Sequence, residues 1–231
     1  AAKQKIFRSP RLKTAIVGID GPDTLRICNE LRQREGLNVI PIATGRRLLD
    51  GVAANGGLLE DHGQAICDLE VARALTGRHN WQNAAAAYAT ARLMGLQRQS
   101  IISGMGSFPG LAHRQELLAV IDGVTYVNDS KATNGEAAAR ALACYGDIFW
   151  IAGGRIKQGG IEATKPYLDR VRHAYLIGEA ANDFAGTLET RVPVTVSGEL
   201  SNALGEARQN ALVETGVGAV VLLSPACASF D

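Results

Sequence analysis

The segment YVNDSKATN, residues 126–134, combines residue types that could bind an anionic ligand. Lys131 stands between the hydroxyl residues Ser130 and Thr133, and Asp129 precedes them. An ammonium group and hydroxyl donors together suit carboxylate or phosphate oxygens. The alternative is a strand that runs into a capped helix, with a solvated lysine. Capping accounts for one or two of these residues, and we assign it to Asn134, but it does not account for a lysine between two acceptors.

Three other polar or glycine-rich segments follow strand-like runs: GGRIKQGG, which contains Lys157, GE at 178–179, and SPACAS, which contains Ser229. In parallel sheets, ligands bind beyond the carboxyl ends of the strands. We therefore expect Lys131 and Lys157 at adjacent strand ends, with hydroxyls nearby. The glycines could instead form only a flexible loop, since the Walker spacing is absent. GxSxG, a His/Asp/Ser series and a metal-ligand cluster are also absent, which favours ligand positioning over covalent catalysis.

Strand-like and helix-like runs alternate along the chain, which predicts an α/β fold. The first half begins strand, helix, strand, continues with short strands at a sheet edge over 46–70, and has a helix over 80–95 that Asn80 could cap. In the second half, Asp122-Gly123 predicts a hairpin, and GEAAARALACYG predicts a helix stopped by Gly146. Nearly continuous apolar strands there predict a mostly parallel sheet covered on both faces.

A Pro-Gly pair at 109–110 is the strongest linker signal, and we place a domain boundary near residue 106, giving domains 1–106 and 107–231. Lys and Arg total 24 against 23 Asp and Glu, which argues against a nucleic-acid or anionic-membrane partner. The four cysteines are widely spaced and are interpreted as buried thiols in a reducing compartment. With no apolar run long enough for a membrane span, we expect a cytoplasmic protein.

The motifs resemble those of the Mur ligase family over almost the whole chain and in the family's order. They are LTGRHNWQNAAAAYATARLMGL, FPGLAHRQE, DGVTYVNDSKATN, FWIAGGRIKQGG and LLSPACASFD. The resemblance implies part of a central ATPase domain followed by a Rossmann-like domain that binds an amino acid. It also implies ATP and Mg²⁺, transfer of the γ-phosphoryl group to a carboxylate, and attack of an amine on the acyl phosphate.

Residue roles follow from the resemblance alone. For the nucleotide, it implies that Asn83 and Asn80 contact adenine, Arg114 the phosphates and Asp129 the ribose, and that Lys131 lies at the phosphate and acyl phosphate. For D-glutamate, it implies binding by Thr133, Lys157, Ser229 and the backbone at Phe230. Lys3 matches a lysine whose carbamate helps to bind Mg²⁺.

The chain also departs from the family pattern. An N-terminal domain that binds UDP and a P-loop both precede the matched lysine in the family, so we interpret the chain as a fragment that is inactive alone. Within the family, SPACASFD and NDSKATN favour the member that joins D-glutamate to UDP-N-acetylmuramoyl-L-alanine. The alternatives are a sister ligase that adds another amino acid and a non-catalytic nucleotide-binding module.

Overall fold

A computed structural model describes residues 3–155 and 160–228, without the side chains of residues 3 and 73. The chain divides into two compact units, Ala1–Phe108 and Pro109–Asp231. Pro109 and Gly110 stand at this division, where a proline cannot continue the helix that ends just before it. Each unit has its own sheet and its own apolar core.

The first unit contains a five-stranded sheet in the order β1-β2-β3-β4-β5. Its strands are β1 (Thr14–Gly18), β2 (Asn38–Thr44), β3 (Val52–Asn55), β4 (Leu58–Asp61) and β5 (Gln64–Asp68). The first three strands are parallel, whereas β3, β4 and β5 pair antiparallel. The short strands predicted for 46–70 are therefore confirmed, and they form one side of this sheet.

Three α-helices accompany this sheet: α1 (Pro22–Arg32), α2 (Arg78–Leu93) and α3 (Arg98–Gly106). Short 3-10 helices span Lys3–Arg8 and Arg73–Leu75. The buried face of α2 is formed by Ala84, Ala85, Tyr88 and Ala89, because residues three and four apart share one face of a helix.

Asn80 does not cap α2, contrary to the prediction. Gly77 precedes the helix, and its positive φ of 91° is a conformation that glycine adopts without strain. Asn80 lies inside the first turn, where its Nδ2 donates to the carbonyl of Thr76 at 2.9 Å. The helix therefore begins two residues earlier than the sequence pattern indicates.

The second unit contains a six-stranded sheet in the order β10-β9-β8-β11-β7-β6. Its strands are β6 (Glu116–Ile121), β7 (Val124–Asn128), β8 (Ile148–Gly153), β9 (Val171–Ile177), β10 (Val194–Gly198) and β11 (Val220–Leu223). Only the β6–β7 hairpin is antiparallel among these pairs, and all six residues of β8 are buried. The predicted hairpin and the mostly parallel sheet are both confirmed.

Helices cover both faces of this sheet: α4 (Gly135–Leu142), α5 (Ala181–Leu188), α6 (Leu200–Glu214) and a 3-10 helix over Glu162–Arg170. One face packs against α4, α5 and the 3-10 helix, and the other against the alanine stripe of α6. Pro166 has no N–H for an α-helical hydrogen bond, which is consistent with the 3-10 geometry of its segment.

The stop predicted at Gly146 is wrong, since α4 ends at Leu142. The amide of Cys144 donates to the carbonyl of Ala141 at 3.0 Å, a tight i to i+3 bond that closes the helix. The sequence interpretation therefore placed the end of this helix about one turn too late.

The cysteines differ in burial more than the sequence suggested. Cys28 and Cys227 are buried, whereas Cys67 and Cys144 are only partly buried, and within the described part of the chain none of the four forms a disulfide. Burial raises the pKa of Cys28 and Cys67, and raises that of Cys144 to about 11. Among the described residues, no helix has the length and the apolar content to span a bilayer.

Candidate functional site

The predicted anion-binding segment forms a tight turn between β7 and α4. The amide of Asp129 donates to Leu223 O on β11 at 2.7 Å, and the amide of Ala132 donates back to Asp129 O at 2.8 Å. Asn134 caps α4 by accepting a hydrogen bond from the amide of Ala137 at 2.8 Å. The helix cap is therefore Asn134, as predicted, and it leaves the side chains of Lys131 and Thr133 out of the capping role.

Ala132 anchors the middle of this turn. Its side chain is buried, and its carbonyl accepts from the amide of Ala226 at 2.8 Å. Lys131 is exposed on one side of Ala132, and Thr133 is half-buried on the other. Within the described residues, Lys131 forms no ion pair, so its ammonium group is available to an anionic ligand.

The segments that follow β8 and β11 run side by side. The amide of Gly153 donates to Pro225 O at 2.9 Å, and the amide of Arg155 donates to Ala228 O at 3.2 Å. Gly154 has a φ of 134°, and a Cβ there would lie 2.8 Å from Ala228 O, so glycine permits this close approach. The sequences that lead towards Lys157 and Ser229 are thus paired through their backbones.

Lys157, Ser229 and Phe230 themselves lie outside the described residues, so their predicted roles stay predictions. The expectation that Lys131 and Lys157 follow adjacent strands is wrong. β11 lies between β7 and β8 and pairs with both, because this strand, the last in sequence among those described, inserts between two earlier ones. Sequence order alone does not reveal such an insertion.

The carboxyl ends of β7, β11 and β8, with the segments that follow them, form one rim of the second sheet. Asp129 is the acid of this rim whose pKa is shifted most strongly. Its side chain is buried, Oδ1 accepts from the amide of Gln115 at 3.1 Å, and Oδ2 accepts from Ser224 Oγ at 3.0 Å. Burial raises the pKa of Asp129 to about 6, although the two hydrogen bonds and the charge of Arg114 oppose the rise. Arg114 itself is exposed, in the loop that precedes β6.

The two predicted adenine contacts lie near the start of α2 in the first unit. Asn83 is exposed, and Asn80 is half-buried with its Nδ2 bonded to Thr76 O. Residues three apart are neighbours on a helix surface, so both can serve one ligand. The 3-10 helix over Lys3–Arg8 includes the backbone of Lys3, whose side chain the structure does not describe.

A hydrogen-bond network beside α2 was missed by the sequence interpretation. Asp20 follows β1 and accepts from Thr44 N at 2.9 Å, from Thr44 Oγ1 at 2.5 Å and from Gln82 Nε2 at 2.8 Å. Arg78 donates to Thr44 Oγ1 and to Thr44 O, both at 2.7 Å. The same rule that selected Asp129, a polar residue just after a buried strand, could have selected Asp20 and Thr44.

The residues of the described segments include no group of three or more His, Cys, Asp or Glu side chains placed to hold a metal ion. They do not by themselves fit a Mg²⁺ site. The described rim does fit an anion, with the exposed Lys131 and Arg114 around the carboxyl ends of β7 and β11.

Solved structures with a similar fold cover almost the whole chain. They include the bifunctional folylpolyglutamate synthase/dihydrofolate synthase of Yersinia pestis (TM-score 0.63, 20% identity, 96% of this chain, 52% of that chain). The D-alanyl-D-alanyl-adding ligase of Acinetobacter baumannii also matches (TM-score 0.59, 18% identity, 96% and 50%). A Mycobacterium tuberculosis folylpolyglutamate synthase complexed with ADP and AMPPCP matches as well (TM-score 0.61, 19%, 95% and 54%). The fold is that of the Mur ligases and folylpolyglutamate synthases.

No family model matches the chain. Curated proteins match it at higher sequence identity than these solved structures do. The UDP-N-acetylmuramoylalanine--D-glutamate ligase of Rhodospirillum rubrum is 49% identical over the whole chain, and that of Paramagnetospirillum magneticum is 46% identical. The chain is similar to these ligases over its whole length, and it spans about half the length of the curated relatives it matches.

Proposed function

We propose that the chain forms part of an ATP-dependent ligase that joins D-glutamate to UDP-N-acetylmuramoyl-L-alanine in peptidoglycan synthesis. The observation that carries the proposal is the 44–49% identity, over 94–100% of the chain, to relatives that bear this ligase name. An exposed lysine and a half-buried threonine beside an anchored turn add physical support. We also propose a cytoplasmic location, where ATP is available.

The chemistry requires activation, since a carboxylate is a poor electrophile. The γ-phosphoryl group of ATP is transferred to the muramoyl-alanine carboxylate, the bond between the β- and γ-phosphates breaks, and ADP leaves. The amine of D-glutamate then attacks the acyl carbon, and inorganic phosphate leaves as the amide forms. The protein's main tasks are to position the reactants and to stabilise the negative charge of the phosphoryl group.

For the nucleotide, we assign adenine to Asn80 and Asn83, the ribose to Asp129 and the phosphates to Arg114. We assign Lys131 to binding both the phosphates of the nucleotide and the acyl phosphate. Support comes from the exposure of Asn83, Arg114 and Lys131. Asp129 can still accept a further hydrogen bond, because each carboxylate oxygen has two acceptor positions and each accepts only one described bond.

For D-glutamate, we assign binding to Thr133, Lys157, Ser229 and the backbone at Phe230. The half-buried Thr133 supports this assignment, as does the backbone pairing of the segments that lead to the other three residues. Lys3, as a carbamate, would add one Mg²⁺ ligand. Mg²⁺ would neutralise phosphate charge, although the described residues alone do not form its site.

A direct assay tests the proposal on the gene product that contains this chain. The purified protein is supplied with ATP, Mg²⁺, UDP-N-acetylmuramoyl-L-alanine and one amino acid, and product is detected by mass spectrometry together with phosphate release. We expect product with D-glutamate and none with L-glutamate. Product with another amino acid only would indicate a sister ligase, and ATP binding without any product would indicate a non-catalytic module.

The amino-acid assignment has its own test in the same protein. We expect Lys157→Ala to raise the KM for D-glutamate about tenfold or more, since one charge-assisted contact is lost. Lys165→Ala is the matched control, because Lys165 forms an exposed ion pair with Glu162 on the 3-10 helix. Normal D-glutamate kinetics in the Lys157 variant would remove this residue from the pocket.

A further inference from the structure

Ser224 is a fully buried hydroxyl residue at the carboxyl end of β11, and it has no role in the assignments above. Its amide donates to Ile151 O at 3.1 Å, and its carbonyl accepts from Trp150 Nε1 at 2.9 Å. Both of those partners belong to β8, itself entirely buried. The backbone of Ser224 is therefore fixed to the centre of the sheet.

The hydroxyl of Ser224 points the other way, towards the end of β7. Its Oγ donates to Asp129 Oδ2 at 3.0 Å, across 95 residues of sequence. The opposite oxygen of Asp129 accepts from the amide of Gln115, and the Asp129 amide is bonded to Leu223 O. The carboxylate is thus held from two sides, with Ser224 as the only side-chain donor among the described residues that contact it.

We propose that Ser224 is a positioning residue for the ligase, which holds the carboxylate of Asp129 in the orientation and charge state that nucleotide binding requires. This inference rests on the proposed function, because it takes Asp129 as the ribose contact. Ser224 does not touch the ligand itself. It acts through Asp129, and it couples the carboxyl ends of β7 and β8, which are not neighbours in the sheet.

Electrostatics give this role a measurable consequence. Burial raises the pKa of Asp129 to about 6, and the hydrogen bond from Ser224 is the largest influence that opposes it. Without that hydroxyl the pKa rises further, so that a larger fraction of Asp129 is protonated near neutral pH. A protonated carboxyl keeps less acceptor capacity for a ribose hydroxyl.

The other groups that face Asp129 do not supply the same effect. Arg114, in the loop before β6, is exposed and lowers the pKa of Asp129 less than the hydrogen bonds from Ser224 and Gln115 do. Cys144 and Tyr145 follow α4, and their own pKa values are raised by burial and by Asp129, so both are neutral near pH 7. An acid limb near pH 6 that moves when the Ser224 hydroxyl is removed therefore reports on Asp129, whereas a limb that stays in place belongs to other groups, such as His113 in the loop before β6 or the phosphates of ATP.

The test is the pH profile of kcat/KM for ATP in the gene product that contains this chain, with the KM for D-glutamate measured in parallel. In Ser224→Ala we expect the acid limb to move upward by about one pH unit. The KM for ATP should therefore rise about fivefold at pH 6 but less than about twofold at pH 7, and the defect should vanish above pH 8. The KM for D-glutamate should change little.

Ser197→Ala is the matched control, since Ser197 is also buried and donates to a carboxylate, that of Glu206, at 2.5 Å at the end of β10. It should leave the acid limb in place. Ser224→Cys, which replaces the hydroxyl by a slightly larger and weaker donor, should give an intermediate shift if Ser224→Ala fails to fold.

A loss of activity in Ser224→Ala that is equal at every pH, or an unmoved acid limb, would overturn the positioning role. A wild-type protein that does not ligate D-glutamate would instead overturn the proposed function, and this inference with it. The pKa of Asp129, followed by carboxyl NMR in the chain itself, separates the two cases. It should rise in Ser224→Ala whether or not the protein is a ligase, and a constant value contradicts the inference alone.

Discussion

The two units each place an aspartate just after a parallel strand, but they hold it in different ways. In the first unit, Asp20 is exposed and is bonded to Thr44 and Gln82, so side chains join the ends of β1, β2 and α2. In the second unit, Asp129 is buried, and the strand ends around it are joined mainly by backbone hydrogen bonds.

This difference affects which residues each site can offer to a ligand. A rim built from backbone bonds leaves Lys131 and Thr133 without a structural task, so both can serve ligands. A rim built from side chains uses Thr44, Arg78 and Gln82 as supports for the helix that carries Asn80 and Asn83. We therefore expect the second rim to be most sensitive to changes of backbone conformation, and the first to the loss of single side chains.

Gly153→Ala is expected to cause the largest loss of stability among the substitutions considered. It has a φ of 121°, and a Cβ there would lie 2.0 Å from the carbonyl oxygen of Ile177, a backbone atom that cannot move freely. We expect Gly153→Ala to lower the free energy of unfolding of the second unit by about 3 kcal/mol or more. Denaturant unfolding measures this, with Gly146→Ala as the control because nothing lies within 4 Å of a Cβ at that position. Equal stability of the two variants would contradict the backbone-built rim.

Asp129 should make the stability of the second unit depend on pH. Its folded pKa of about 6 lies above the ordinary value of 3.8, so the native state binds more protons than the unfolded state between these values. Its contribution to stability is fully present below pH 4 and is lost as the pH rises through 6. The difference is at most about 3 kcal/mol.

Asp129→Asn should remove this decline, which denaturant unfolding between pH 4 and 7 would detect. Asp183→Asn, at an exposed position in the first turn of α5, should keep the wild-type slope. A decline that persists unchanged in Asp129→Asn would assign the pH dependence to other groups.

Asp20 tests the side-chain network of the first unit. Asp20→Ala removes the acceptor of the amide and the hydroxyl of Thr44, which is only 3% exposed, and should cost about 2 kcal/mol. The Thr44 amide should also exchange its hydrogen faster. The matched control is Asp23→Ala, whose side chain is 92% exposed. Unchanged protection of Thr44 would show that the network does not hold the strand ends together.

Gly45→Ala, in the first unit, should cause the smallest loss of stability. Its φ of 73° resembles that of other turn glycines, but a Cβ there would meet Arg78 Nη2 at 2.9 Å, the far end of a flexible side chain. We expect Gly45→Ala to cost about 1 kcal/mol, mainly from the positive φ. The same unfolding experiment measures this cost. A cost as large as that of Gly153→Ala would contradict the claim that the second rim is more sensitive to changes of backbone conformation than the first.

Local patterns predicted much of this structure from the sequence. The alternation of strands and helices, the hairpin at Asp122-Gly123 and the cap by Asn134 depend on nearby residues, and all three are confirmed. The strand-end rule likewise directed attention to Asp129 and Lys131. Their roles towards ligands remain proposals.

Features that depend on distant residues escaped prediction. The insertion of β11 between β7 and β8 involves strands far apart in sequence, and no local pattern encodes it. The bond between Ser224 and Asp129, across 95 residues, exists only because of that insertion. At the end of α4, Arg170 Nη1 donates to the carbonyl of Ala143 at 2.8 Å across 27 residues of sequence, a partner that no local pattern includes.

The proposed ligand sites are tested most directly by measuring the KM for ATP and the KM for D-glutamate in two variants of the gene product that contains this chain. Asn83→Ala, in the first unit, should raise the KM for ATP about tenfold and leave that for D-glutamate unchanged. Thr133→Val, in the second unit, should raise the KM for D-glutamate by a similar factor and leave that for ATP nearly unchanged. If the two variants alter the same KM, or neither, the proposed division between nucleotide and amino-acid binding is wrong.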